Sequence, residues 1–105
     1  MQIKIANHVI KITPRLKDRI EQRLGLALGR YADRIGSVGV KFVVVKRKGK
    51  PPVTSCQVDV VLCKRVTAQV ADADLFASVD RAVDNATRRV AMAIELEDAA
   101  GTQAS

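Results

Sequence analysis

The sequence predicts an α+β fold in which a four-stranded mixed sheet has two helices packed on one face. Two segments place apolar residues at every third or fourth position, which is typical of helices. Four further segments alternate apolar and polar residues, which is typical of strands, and the last three are joined by short links. The resulting order is β-α-β-β-β-α. A right-handed crossover makes the first two strands parallel, and the short links make the last three an antiparallel meander.

The first strand is predicted at residues 2–6, and its apolar character continues to Ile12 around an irregular middle at Asn7-His8. Thr13-Pro14 is a strong helix start, because Thr accepts free backbone N–H groups and Pro suits the first helical position. The first helix is predicted to end between residues 33 and 36. Its apolar stripe consists of Leu16, Ile20, Leu24, Ala27 or Leu28, and Tyr31.

The other strands are predicted at residues 37–46, 53–63 and 66–71. Because side chains alternate between the faces of a sheet, one face is apolar and both helices must cover it. That face contains Ile3, Ile5, Val40, Phe42, Val58, Val60 and Val70. The opposite face would be open to solvent. There Val43, Val45 and Val61 are candidates for an exposed apolar patch, of the kind that marks a partner contact or a weak homodimer.

The second helix is predicted at residues 74–97, with Asp72 or Asp74 as its N-cap. Seven residues make nearly two helical turns, so one face should bring together Arg81, Asn85, Arg88 and Arg89. Residues 98–105 are rich in small and polar residues, which predicts a flexible C-terminal tail after a single domain at residues 1–97.

The charge of the chain predicts an anionic partner. The 105 residues have a net charge of +7, and the first 50 contribute +10 because they contain 13 Lys and Arg against 3 Asp and Glu. Aromatic residues make up only 3% of the chain, so we expect contacts with RNA phosphates rather than base stacking to dominate. The candidate RNA-binding residues are Arg15, Lys17, Arg19, Arg23, Arg30, Lys46, Arg47, Lys48, Lys50, Arg81, Arg88 and Arg89.

The sequence gives little support for an enzyme, a cofactor or a small-molecule substrate. It has no glycine-rich phosphate loop and no Cys/His constellation for a metal. Asp80 and Asp84 are one helical turn apart, and we interpret them as part of a solvated charged face. Cys56 and Cys63 are placed on one predicted strand at an odd separation, so they point to opposite faces and are poorly placed to pair. No membrane span or signal peptide is recognisable, which predicts a cytoplasmic protein.

Two stretches resemble the ribosome hibernation-promoting factors, also called ribosome-associated inhibitors or sigma-54 modulation proteins. They are ANHVIKITPRLKDRIEQRL at residues 6–24 and DADLFASVDRAVDNATRRV at residues 72–90. The shared tokens are Ile12-Thr13-Pro14, Asp33-Arg34-Ile35, and Asp74-Leu75-Phe76 leading to Val79-Asp80. The resemblance covers residues 1–95 and includes the element order, a dsRBD-like arrangement.

The resemblance implies a stress or stationary-phase factor of the short form. Such a factor binds the small ribosomal subunit near the decoding site and inhibits translation. By position, Arg23 and Arg88 match basic residues that face rRNA in the family, whereas Leu26, Gly29 and Asn85 stand where the family has lysines. Two alternatives remain open: a protein-interaction module that uses the open sheet face, and a generic binder of structured RNA.

Overall fold

The computed structural model describes residues 1–6 and 10–104, so the predicted irregular segment Asn7-His8 lies outside the described residues. The element order is β-α-β-β-β-α, which confirms the predicted fold class. The elements are β1 (Gln2–Ile5), α1 (Pro14–Leu28), a 3-10 helix (Gly29–Arg34), β2 (Ser37–Arg47), β3 (Lys50–Val61), β4 (Arg65–Asp72) and α2 (Leu75–Ala104).

The strands form one sheet in the order β1-β2-β3-β4. β1 pairs in parallel with the beginning of β2, and β2, β3 and β4 form the predicted antiparallel meander. β1 reaches only as far as Val40, and β4 reaches only as far as Thr54. The segment 45–53 therefore projects beyond both neighbours as a two-stranded ribbon, which we call the hairpin ribbon. Its turn contains Gly49 at φ 72°, a conformation that favours glycine.

Both helices cover the predicted apolar face of the sheet. Val40, Phe42, Val58 and Val60 are buried there, and the half-buried Ile3 and Ile5 pack against the same core. The helices fill the other side with aliphatic side chains, so nearly the whole core lacks aromatic rings. Those side chains are Leu16, Ile20, Leu24 and Leu28 from α1 and Val79, Val83, Ala86 and Val90 from α2.

Side-chain caps fix the start of each helix. Thr13 Oγ1 accepts the Leu16 N–H at 3.2 Å and Pro14 occupies the first turn, as the sequence predicts. At α2, Asp74 is the capping residue, because Oδ1 accepts the N–H groups of Phe76 at 2.9 Å and Ala77 at 3.2 Å. Asp72 instead accepts the Asp74 N–H at 2.9 Å, which orders the approach to the helix.

The ends of the helices differ from the prediction. The α-helical part of α1 stops at Leu28 and tightens into the 3-10 helix, since such turns satisfy free carbonyl groups at helix ends. α2 continues to Ala104 instead of ending near residue 97. Helix-favouring Glu, Leu and Ala residues follow Ile94, and their propensity outweighs the single Gly101. The division into a domain at 1–97 and a flexible tail at 98–105 stays a prediction.

One strand boundary also differs. β3 ends at Val61, so Cys63 lies in the connection to β4 and not on the strand as predicted. Cys56 is buried and Cys63 is exposed, and both thiols are free. None of the helices within the described residues is long and apolar enough to cross a membrane.

Candidate nucleic-acid interface

Two arginines of α1 form ion pairs with two carboxylates of α2. The Arg19 guanidinium binds Asp80 through two atoms, with Nε 3.2 Å from Oδ1 and Nη2 2.7 Å from Oδ2. Arg23 Nη2 lies 3.3 Å from Asp84 Oδ1. Arg23 Nε lies 3.3 Å from Asp80 Oδ1, close enough for an ion pair although its geometry is not that of a hydrogen bond. We call this cluster of four residues the interhelical clamp.

The clamp changes the electrostatics of the predicted RNA-binding face. Arg19 and Arg23 are both candidate RNA-binding residues, but each faces a carboxylate that offsets its charge. The hydrogen bonds that Arg19 donates to Asp80 raise the pKa of the Arg19 guanidinium. The sequence contains a signal for this cluster. Arg19 and Arg23 are four residues apart, and so are Asp80 and Asp84, so each pair lies on one side of its helix. Sequence reasoning placed Asp80 and Asp84 on a solvated charged face, which agrees with their exposure, but it did not foresee that arginines of α1 pair with them.

The four residues that helical spacing groups on α2 have different hydrogen-bond partners. Arg81 Nη1 donates to Asp72 Oδ2 at 3.0 Å, near the end of β4. Arg89 donates to the backbone carbonyl of Thr67 in β4. Arg88 donates to the side chain of its helical neighbour Asn85. Arg88 and Asn85 are therefore in contact, as their spacing predicts, whereas Arg81 and Arg89 both turn toward β4.

Three other cations lie on α1 and at its end without a carboxylate partner among the described residues: Arg15, Lys17 and Arg30. Arg15 Cζ lies 5.9 Å from the centre of the Phe76 ring. Arg30 Cζ lies 5.5 Å from the centre of the Tyr31 ring. Cation–π contacts of this kind leave the positive charge uncompensated.

The hairpin ribbon contains the densest run of positive charge. Lys46, Arg47, Lys48 and Lys50 are all exposed, and residues 45–53 include no acidic side chain. Arg47 donates through Nε and Nη2 to the Pro51 carbonyl, at 3.3 and 2.9 Å, which steadies the turn without offsetting its charge. The ribbon therefore presents four cations on a projecting tip.

The open face of the sheet is mainly a polar ladder. Thr67 Oγ1 and Gln57 Nε2 both donate to the Asp59 carboxylate, at 2.6 and 3.0 Å. Gln69 Nε2 donates to Ser55 Oγ at 2.8 Å.

The three valines predicted as a patch on that face are not contiguous. Val43 and Val45 are 43% and 40% exposed near the hairpin ribbon. Val61 is half-buried and stands eight residues along β3 from Val53, the partner of Val45, which is about 26 Å. The predicted patch is therefore reduced to its hairpin end.

Several ionisable groups have shifted pKa values with identifiable causes. The Asp74 backbone N–H, and after it the Arg81 guanidinium, lower the pKa of Asp72. Burial raises the pKa of the Cys56 thiol to about 12. Cys63 Sγ donates to Glu97 Oε2 at 3.1 Å, and this hydrogen bond raises the pKa of the Cys63 thiol.

No group of three His, Cys, Asp or Glu side chains among the described residues is placed to hold a metal ion. The absence of enzymatic activity and of cofactors stays a prediction. Together, the fold and the uncompensated cations define a small basic α+β domain of the kind that binds polyanions.

The chain belongs to the family described as Sigma 54 modulation protein / S30EA ribosomal protein, whose model matches residues 3–93. This membership confirms the resemblance seen in the sequence. The match extends from β1 to well inside α2, so it includes α1, β2, β3 and β4 in full and the larger part of α2.

Comparisons with individual proteins agree with this assignment. The chain is 32% identical over 90 residues to a ribosome hibernation promoting factor of Azotobacter vinelandii, an alignment that covers 86% of the chain and 79% of that protein. The N-terminal domain of Thermus thermophilus Protein Y is 32% identical, with a TM-score of 0.54 over 85% of the chain and 91% of that domain. A ribosomal subunit interface protein from Coxiella burnetii shares the fold, with a TM-score of 0.62 at 19% identity over 89% and 96% of the two chains.

Proposed function

We propose that this protein is a ribosome hibernation factor that binds the small ribosomal subunit near the decoding site and inhibits translation during stress or stationary phase. The family match over residues 3–93 is the observation that supports the proposal most strongly. The relative in Azotobacter vinelandii is named a ribosome hibernation promoting factor, and it aligns with 86% of the chain. The net charge of +7 suits binding to rRNA.

The proposed contact with rRNA uses two parts of the molecule. The hairpin ribbon brings Lys46, Lys48 and Lys50 to phosphates at one end of the protein, since these side chains are exposed and have no carboxylate partner among the described residues. The exposed side of α1 contributes Arg15 and Lys17. Contacts of this kind recognise the shape and charge of folded RNA with little reading of its sequence.

The other candidate residues fall into two groups in this proposal. Arg30, Arg47 and Arg88 have no carboxylate partner in the part of the chain that the structure describes, and they add to the rRNA surface. By contrast, Arg19, Arg23, Arg81 and Arg89 bind acceptors within the protein, and we assign them chiefly to holding the helices and β4 together. For Arg23 the two kinds of evidence differ. The family resemblance implies a contact with rRNA, whereas the structure pairs Arg23 with Asp80 and Asp84.

Co-sedimentation with vacant ribosomes and with separated subunits tests the proposed function. We expect stoichiometric pelleting with the small subunit that weakens steeply between low and physiological salt, because each bound phosphate releases counterions. A purified translation system should lose activity as the protein is added. Absence of pelleting at both salt concentrations would contradict the proposal.

Charge reversals separate the two groups of cations. Lys48→Glu with Lys50→Glu should reduce small-subunit binding by more than tenfold, because two attractive phosphate contacts become repulsive. The matched reversal Lys64→Glu with Arg65→Glu lies in the β3–β4 connection and at the start of β4, at the opposite end of β3, and should have a smaller effect. Equal losses in both variants would show that only the net charge matters.

A protein-interaction role is the second candidate, and the exposure of Val43 and Val45 favours it. Those two side chains define the place where a weak homodimer would form on the open sheet face. Analytical ultracentrifugation of the wild type and of Val43→Ser with Val45→Ser tests this role. A dimer in the wild type that disappears in the variant would support it, and a monomer at high concentration would contradict it.

A further inference from the structure

A surface cleft of about 660 Å³ opens where the exposed side of α1 meets the first turn of α2. Its volume lies within the range of ordinary ligand sites. The lining residues are Arg15, Asp18, Arg19, Gln22 and Phe76. An aromatic ring, two guanidinium groups, a carboxylate and an amide in one cleft form an unusual combination for a chain with so few aromatic residues.

One wall of the cleft is formed by an aromatic ring and an arginine. Phe76 is half-buried in the first turn of α2, whereas Phe42, the only other phenylalanine, is buried in the core. Arg15 Cζ lies over the Phe76 ring, 5.9 Å from its centre, so the guanidinium and the ring lie together in this wall. Aromatic rings and guanidinium planes are the surfaces on which proteins stack unpaired RNA bases.

A second wall of the cleft contains Arg19, which is fixed by Asp80 and still has N–H groups that can donate to a ligand. Arg19 uses Nε and Nη2 to bind Asp80, which leaves the N–H groups of Nη1 for a ligand. Asp18 is exposed and forms no ion pair with a described cation, so both of its oxygens can accept hydrogen bonds. A carboxylate disfavours a phosphate beside it, but it matches a base edge that has two neighbouring donors.

We propose that this cleft binds an unpaired guanine base of an RNA strand. The base stacks on the surface formed by Arg15 and Phe76, and the Asp18 carboxylate accepts the guanine N1–H and one N2–H. Guanine is the base that presents these two donors side by side, so Asp18 gives the cleft its selectivity. Arg19 Nη1 faces the phosphate of the same nucleotide. The inference rests on the proposed RNA-binding function and adds a base-reading site to a surface that otherwise contacts phosphates.

Fluorescence anisotropy with labelled oligouridine RNA tests the cleft directly. The three probes contain one central guanosine, one central inosine, which lacks the 2-amino group, or uridine throughout. We expect the guanosine probe to bind about tenfold more tightly than the inosine probe, because inosine loses a hydrogen bond to a charged acceptor. Phe76→Leu should weaken binding of the guanosine probe by about tenfold through the lost stacking. Asp18→Asn should abolish the preference for guanosine over inosine.

Matched variants exclude general effects. Tyr31→Leu removes the ring under Arg30, a second arginine–aromatic pair, and Asp33→Asn removes another exposed carboxylate. Both should keep the guanosine preference. If Phe76→Leu fails to fold, Asp18→Asn still decides the result, because Asp18 lies on the surface. Equal affinity for the three probes in the wild type, including no measurable binding of any, would overturn the proposal. So would an undiminished preference in Asp18→Asn.

The same proteins distinguish failure of the cleft from failure of the proposed function. Wild-type protein that pellets with small subunits but shows no guanosine preference would refute the cleft and leave the hibernation role standing. Protein that prefers guanosine but does not pellet with ribosomes would support the cleft and refute the hibernation role.

Discussion

Replacing Asp80 by asparagine should destabilise the protein and at the same time strengthen its binding to RNA. Asp80 is the carboxylate that both Arg19 and Arg23 contact, at 2.7 and 3.3 Å. The arginine side chains are 43% and 35% exposed, so water screens both pairs. Exposed ion pairs contribute about 0.2–1 kcal/mol each, and we expect the free energy of unfolding to fall by about 0.5–1.5 kcal/mol in total.

The gain in RNA binding follows from the charges that the substitution releases. Without Asp80, Arg19 loses its compensating carboxylate and Arg23 keeps only the contact with Asp84. Each additional phosphate contact changes the slope of log K against log salt by about −0.7 on single-stranded RNA. With 1 M salt as the reference concentration, one additional contact of this kind strengthens binding about fourfold at 0.15 M salt. Asp80→Asn should therefore bind small subunits several-fold more tightly and with a steeper salt dependence.

Thermal unfolding and co-sedimentation over a salt series measure the two effects. Asp33→Asn is the control, because it removes one exposed carboxylate that forms no ion pair with the described residues. Equal gains in Asp33→Asn and Asp80→Asn would show that net charge alone is responsible. Weaker ribosome binding by folded Asp80→Asn would refute the reasoning, because it would mean that the Asp80 carboxylate does not offset the charge that the two arginines present to RNA.

Three further predictions concern the core and the titrating groups. Val83→Asp should abolish cooperative unfolding measured by circular dichroism, since Val83 is buried in α2 and the new charge would have no partner. Asp72→Asn should lower stability at neutral pH. The backbone N–H and the guanidinium that lower the pKa of Asp72 stabilise only its charged form, so in a series of denaturant titrations the difference from wild type should vanish as the pH falls through the lowered pKa. In a thiol-reactivity assay, Cys63 should react in the native protein and Cys56 only after unfolding. Glu97→Gln should speed the reaction of Cys63, because Glu97 raises the pKa of that thiol.

The fold was predictable because its signals are local and repeated. Alternation along the strands, a stripe on each helix and the caps at Thr13 and Asp74 all indicate the same structure. Ends of elements were less predictable. The extension of α2 to Ala104 depends on small differences in helix propensity, and the early end of β3 before Cys63 depends on where β4 begins to pair.

The candidate site was predictable in composition but not in arrangement. The sequence identifies which residues are cationic, yet the partners of Arg19 and Arg23 lie some 60 residues away on another helix. Which arginine pairs with which carboxylate depends on how the two helices pack, and the residue pattern of a single helix carries no information about that packing. Low aromatic content likewise favoured phosphate contacts alone, and only the structure places Phe76 beside Arg15 at the surface.

A cryo-electron microscopy reconstruction of the small subunit with this protein bound tests the central claim most directly. Our account predicts density for the protein near the decoding site, with the hairpin ribbon and the exposed side of α1 against rRNA and the open sheet face away from it. Density at another site on the subunit, or an orientation in which the open sheet face contacts the ribosome and the hairpin ribbon points to solvent, would contradict the account.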